Sequence, residues 1–148
     1  HVNVTSGAWP IADAGIGHAV DSFYEYLAKA AALFRSERYE ALFRAARVPL
    51  ERYLRRGRGY YVEAHMFTLQ LSWPVFNSLQ AFWPGVLATR GRLRAAVEHV
   101  RATHAVWLAH DATPEKTQLV GGALVDGQVQ HASAHQLCLR AYDVVLVR

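Results

Sequence analysis

The sequence predicts a mainly α fold: a partial α/α toroid, or solenoid, of helical hairpins separated by short β excursions. Three observations carry this reading. Four stretches repeat apolar residues at spacings of three and four, the period of one helix face. Gly- or Pro-containing breaks follow the second and the third, and a short link joins the first two. The order helix, helix, extended segment then occurs twice, in units of roughly 55 residues, as in hairpin repeats. Two such units cannot close a ring, so each is expected to keep a face that only a neighbour would bury. Composition agrees, because 52% of the 148 residues are hydrophobic and only 19% are charged. That is too apolar for a disordered chain, and apolar for a small domain that covers its own core.

Residues 1–15 have no clear period and read as a loop, with one short strand at Val2-Asn3-Val4. Asn3-Val4-Thr5 also fits the N-glycosylation pattern, which matters only in the secretory pathway. The first helix spans residues 20–34 through Val20, Phe23, Tyr24, Leu27, Ala31 and Phe34, with Asp21 and Ser22 in its first turn. A second pattern runs from Tyr39 to Leu54. Pro49 interrupts it and predicts a kink or a break there. The short link between the two predicts an antiparallel αα-hairpin.

Residues 60–66 look extended. A third helix is expected to begin near Pro74, run through Phe76, Leu79, Gln80 and Phe82, and close at Pro84-Gly85. A fourth follows through Leu93, Ala96, Val97, Val100, His104, Trp107 and Leu108. Beyond Thr113-Pro114, residues 118–120 and 123–125 flank Gly121-Gly122 as a small β-hairpin, with a second turn signal at Asp126-Gly127. Residues 143–147 could add a strand.

No apolar run approaches the roughly 18 residues of a membrane span. A single cysteine, Cys138, excludes an internal disulfide framework and a thiolate metal cage. The first residue is His1 and the sole methionine is Met66, so a further N-terminal part is expected, and any targeting signal would lie in it. The net charge of +4 reflects 16 basic against 12 acidic residues. Arg55-Arg56-Gly57-Arg58 is the densest basic run, and it suits either phosphate contact or a solvated helix end. Elsewhere Arg alternates with Glu at helical spacing instead of lining one face, so nucleic acid is not the expected partner.

Asp21 and Glu25 stand four apart, which on a helix puts both carboxylates on one face. Glycosidases need two carboxylates that flank the scissile bond, whereas residues on adjacent turns share one side of a site. The other reading is a first-turn acid suited to the helix dipole and a surface Glu. Phe23, Tyr24 and Tyr26 surround Glu25, and Trp73, Phe76, Phe82 and Trp83 surround Asn77 and Gln80. Aromatics beside acids and amides suit sugars; at helical spacing they also suit a core. None of the eight histidines shows HExxH spacing, and His99 and His104 read as surface or partly buried residues. Ser22, Ser72 and Ser78 have no nearby histidine at a spacing that would suggest a nucleophile.

The segment from Gly15 to Leu27, Gly-Ile-Gly-His-Ala-Val-Asp-Ser-Phe-Tyr-Glu-Tyr-Leu, resembles the GxGxxxDSxYEYL segment of class I α-1,2-mannosidases, glycoside hydrolase family 47. Tyr61-Val62-Glu63 and the run from Trp73 to Gly85 are most similar to the ER degradation-enhancing α-mannosidase-like branch, and Thr113-Pro114-Glu115 also fits. The resemblance covers about residues 1–130 and implies part of a catalytic domain there. Residues 131–148 form a divergent tail without it.

What the resemblance implies is an α/α barrel of seven helical hairpins that removes α-1,2-linked mannose from N-glycans with inversion. It implies calcium, with ligands outside this span, so no metal ligand is assigned within it. Asp21 corresponds to one of the family's essential acids and Glu25 to a further acid of the same site. Phe23, Tyr24, Asn77 and Phe82 are the expected substrate-binding residues. The implied partners are high-mannose N-glycans on misfolded glycoproteins, and the implied compartment is the endoplasmic reticulum; membrane association is left open. A non-catalytic, lectin-like adaptor is the alternative, and a plain helical-repeat interaction protein is a third.

The family's other acids fall upstream of His1 and in an Arg-Pro-Glu motif due after Gln130, where this chain reads His131-Ala132-Ser133-Ala134. A truncated, alternatively spliced or frame-shifted product is therefore expected, inactive by itself because one carboxylate region cannot supply both acid and base. Asn77-Ser78 in place of Asp-His, and Ala19 in place of Arg or Leu, bear on the glycan preferred.

Overall fold

The computed structural model describes residues 2–57, 59–111, 114–120, 123–124 and 130–131. It is mainly helical with short strands: β1 (Asp13–Ala14), α1 (Asp21–Phe34), α2 (Glu37–Pro49), a π-helical turn (Leu50–Leu54), β2 (Arg55–Arg56), β3 (Tyr60–Tyr61) and β4 (Glu63–His65). Then come β5 (Leu71–Trp73), β6 (Val75–Asn77), a 3-10 turn (Ser78–Phe82), α3 (Trp83–Thr89), α4 (Leu93–His110), β7 (Pro114–Val120), β8 (Ala123–Leu124) and β9 (Gln130–His131).

Helices α1 and α2 pack together across a two-residue link, as the short connection requires. Arg35 turns the chain with φ 48° while its N–H donates to Ala31 O, the left-handed helix end that frees the chain to reverse. Pro49 stays inside α2, and the chain answers immediately after it. Residues Leu50–Leu54 widen into a π turn in which Arg55 N–H donates to Leu50 O, five residues back. A proline withholds one donor from the i−4 ladder, and a locally widened turn is a known response to such a defect.

The strands form three small groups: β1-β4-β5, β2-β3, and β6-β7-β8 with β9 also on β7. All pairings are antiparallel. The β7–β8 pairing, with Leu119 opposite Leu124, is the expected hairpin around residues 121–122. The Asp126-Gly127 turn and the strand over 143–147 lie outside the described residues.

Three local expectations are corrected. Val2-Asn3-Val4 is not a strand, because the Asn3 carboxamide folds the backbone into a turn by accepting from Thr5 N and Ser6 N. Pro74 does not start a helix: it sits between β5 and β6, and β6 is held extended by pairing Val75–Asn77 against Lys116–Gln118. Pro84-Gly85 does not end one either. Pro84 lies in the first turn of α3, where its missing N–H has no partner to lose.

Two clusters make the core. The larger gathers Ile16, Ala28, Phe43, Leu50, Leu54, Tyr61, Phe82, Trp83 and Leu87 among others; the smaller joins Tyr60, Val62, Phe76, Ala102, Val106 and Leu119. Trp83 and Tyr61 meet edge-on at 6.0 Å in the centre. The Tyr61 hydroxyl donates to Glu51 Oε1 at 2.6 Å, and burial together with this bond pushes its pKa up. Around the core, Arg90 pairs with Glu40 and Arg55 with Glu98.

Candidate glycan-facing site

The site is built on the segment that leads into α1. Ile16 is fully buried and anchors Gly15-Ile16-Gly17 to the core. Gly17 O accepts from Val20 N at 3.2 Å and Asp21 N at 2.9 Å, which turns the chain into the helix. Ala19 takes φ 71° in that turn, a conformation that bulky side chains resist, so the small residue fits. The two glycines are needed for contact. A Cβ on Gly17 would lie 3.2 Å from Gln80 Cγ and 3.6 Å from Asn77 Cβ; one on Gly15 would lie 3.0 Å from Glu63 Cγ. Residues from α1, β4 and the 3-10 turn therefore converge on this one segment.

Asp21 opens α1, half-buried. Its carboxylate makes no hydrogen bond and no ion pair among the described residues. Glu25, one turn on, is instead paired with Lys29 Nζ at 2.7 Å. The two acids thus share a helix face, but their surroundings differ: one is uncommitted, the other held.

The expected substrate-binding residues separate into two sets. Phe23 is 58% exposed and Tyr24 is half-buried, edge-on to Phe23 at 5.4 Å and to Trp83 at 5.9 Å. Asn77 and Phe82 are each only 5% exposed. Asn77 Oδ1 accepts from Leu79 N at 2.8 Å and so caps the 3-10 turn, while Phe82 packs against Trp83. In the described structure these two support the floor beneath the segment instead of opening onto solvent.

Three residues have surroundings here that the sequence reading did not give them. Glu63, half-buried in β4 against Gly15, has a raised pKa because burial penalises its charge and Asp13 adds repulsion, partly offset by Lys116 and His18. A lone acid inside the apolar run at 60–64 was its signal. Gln80 is fully buried, and neither its Oε1 nor its Nε2 finds a partner among the described residues. His99 is not a surface or partly buried residue but wholly enclosed. Its Nδ1 lies 2.6 Å from Gly59 O and its Nε2 3.3 Å from Gln80 O. Burial lowers its pKa against the pull of those two carbonyls. His104 is exposed, as expected.

Arg55 is engaged by Glu51 and Glu98, and Arg58 lies outside the described residues. Among the described residues no three His, Cys, Asp or Glu side chains gather as a metal site, and no helix is long and apolar enough to cross a membrane.

Comparison with known proteins places this arrangement. Residues 1–142 match the model of glycosyl hydrolase family 47, a match that extends beyond residue 130. The chain is 40% identical over 142 residues to alpha-mannosidase I MNS4 of Arabidopsis thaliana, covering 96% of this chain and 23% of that protein. It is 33% identical over 126 residues to ER degradation-enhancing alpha-mannosidase-like protein 2 of Homo sapiens, covering 85% of this chain and 22% of the relative. It therefore spans less than a quarter of the length of these relatives. With the family matched over nearly every residue, the chain belongs to glycosyl hydrolase family 47.

Proposed function

We propose that this chain is part of an α-mannosidase that trims α-1,2-linked mannose from N-glycans, with inversion, in endoplasmic-reticulum glycoprotein degradation. Family membership and the names of its relatives support the reaction class. The single structural observation that carries the reading is Asp21: a half-buried carboxylate at a helix start, uncommitted among the described residues, on a glycine segment packed from both sides. A carboxylate spent on an ion pair would serve poorly as acid or base; this one has no such pair among the described residues.

Inversion needs two carboxyls about 6.5–9.5 Å apart so that a water fits between one of them and the sugar. Asp21 and Glu25, one turn apart on one helix, do not flank a sugar. Asp21 therefore handles one proton, either polarising water or protonating the leaving oxygen, and its opposite number comes from other hairpins of the full-length protein. Glu25, steadied by Lys29, hydrogen-bonds the sugar, and the exposed Phe23 ring offers a face for its C–H groups. Calcium belongs to those other segments too; the described acids do not assemble a cage for it, so no step runs through it here. High-mannose glycans on misfolded glycoproteins are the proposed substrates, and the hairpins are proposed to complete an α/α toroid.

The test is to incubate the full-length protein with a high-mannose N-glycan and follow released sugar by NMR. Free mannose appearing first as the β-anomer is the expected result. Tight glycan binding without release would instead select the lectin-like adaptor.

A further inference from the structure

Outside the site, one motif remains unused by the function: Asn3-Val4-Thr5. We propose that Asn3 is itself an acceptor for an N-linked glycan, so that a glycan-trimming protein carries a glycan on the turn that precedes its catalytic segment. The proposal rests on the secretory compartment proposed above.

The geometry supports it in three ways. Residues 2–11 are all exposed, and Val4, between the acceptor and its threonine, is 94% exposed. The turn is closed by Asn3 N–H donating to Ala8 O at 2.8 Å and Gly7 N–H to Asn3 O at 2.7 Å, so the tripeptide is displayed on a compact loop. Within it Asn3 Oδ1 accepts from Thr5 N at 2.9 Å and Ser6 N at 3.1 Å, an Asx turn. With both N–H donors on the carboxamide oxygen, Nδ2 is left without a partner among the described residues and its N–H is made more acidic, which favours the proton loss that the transfer requires. Asn77, the only other asparagine, is followed by Ser78-Leu79, lacks the pattern and is buried.

The step is a transfer from a lipid diphosphate-linked oligosaccharide. Asn3 Nδ2 attacks C1 of the first sugar, the N–C bond forms and the C–O bond to diphosphate breaks. Nδ2 gives up one proton and the lipid diphosphate leaves. The attached glycan would shield Val2, Val4, Trp9 and Ile11, apolar side chains exposed on the same stretch.

The experiment expresses the full-length protein in eukaryotic cells twice, once with its own N-terminus and once behind an added cleavable signal peptide. The peptide carrying Asn3 is then mapped after enzymatic glycan release, which turns a modified asparagine into aspartate. Aspartate at position 3 is expected, with one mobility step lost in Asn3→Gln and in Thr5→Ala and kept in Thr5→Ser. Thr5→Ala leaves the Asn3 turn intact, since that turn uses backbone N–H groups. A lumenal, protease-protected protein with unmodified Asn3 overturns the proposal while the compartment reading stands. If only the form with the added signal peptide is lumenal and modified, the acceptor site is upheld and the compartment reading fails.

Discussion

At the level of single residues, position and commitment divide the two expected acids. That Asp21 lies in the first turn of a helix was legible in the sequence, because the apolar period begins beside it. That Glu25 is tied to Lys29 was not, since an i,i+4 pair can form or stay open without altering the pattern. The half-burial of Glu63 was not legible for another reason: it depends on β1 and β5 flanking β4, pairings that no local spacing encodes. Its raised pKa has a definite consequence. The folded state keeps the proton to higher pH than the unfolded chain, so ionising Glu63 erodes stability as pH rises from its ordinary 4.5 through the folded value. Glu63→Gln in the full-length protein is expected to raise Tm at neutral pH, with the gain vanishing below pH 4.5, as read by calorimetry across pH. Gly59 sets the opposite sign. It holds φ 102°, and a Cβ there would lie 2.8 Å from the Glu98 carbonyl carbon. The α4 backbone it would meet, at Glu98 and His99, cannot move aside, so Gly59→Ala should destabilise by about 2–4 kcal/mol in denaturant titration.

Among the elements, helices with a clear period were readable and the segment around Pro74 was not. Its apolar spacing suits a helix, yet β7 supplies a ladder that satisfies Val75–Asn77 in extended form. Tertiary pairing of this kind outweighs weak helical preference for β-branched and aromatic residues. Asn77 then serves as the hinge from strand to turn. Losing its cap should cost about 1 kcal/mol in Asn77→Ala, with Asn77→Asp, which keeps the acceptor, much closer to wild type. On α4 the buried residues are Ala96, His99, Ala102 and Val106, while Leu93, Val97, Val100 and Leu108 of the predicted stripe face outward. A histidine was read as surface or partly buried, but the Gly59 carbonyl, 2.6 Å from Nδ1, accepts the one N–H of the neutral ring and allows it inside. Because burial lowers its pKa, the unfolded chain binds the proton more readily. Stability from this residue is complete above pH 6.5 and falls as pH drops through the folded value. His99→Gln should flatten that acid limb of a Tm–pH profile.

For the whole molecule, the apolar excess seen in the composition reappears as surface. Leu33, Phe34, Leu93 and Leu108 are each more than half exposed. The helical class and the hairpin of α1 and α2 follow from sequence period; the proposed closure into a toroid does not, because two helical hairpins cannot close a ring. If neighbouring hairpins cover α4, some of the substitutions Leu93→Lys, Val97→Lys, Val100→Lys and Leu108→Lys in the full-length protein will lower stability by about 2–4 kcal/mol, the scale of an unpaired buried charge or lost apolar burial. Four neutral results would mean that this face meets solvent.

The most direct test of the central claim concerns Asp21 in the full-length protein. Mannose release from a high-mannose N-glycan is compared between wild type and Asp21→Asn, with Tm and glycan affinity measured alongside. A fall in kcat of about 10²–10⁴-fold, with folding and binding preserved, is the expected outcome for a group that moves a proton in the transition state. A variant that releases mannose within twofold of the wild-type rate would contradict it.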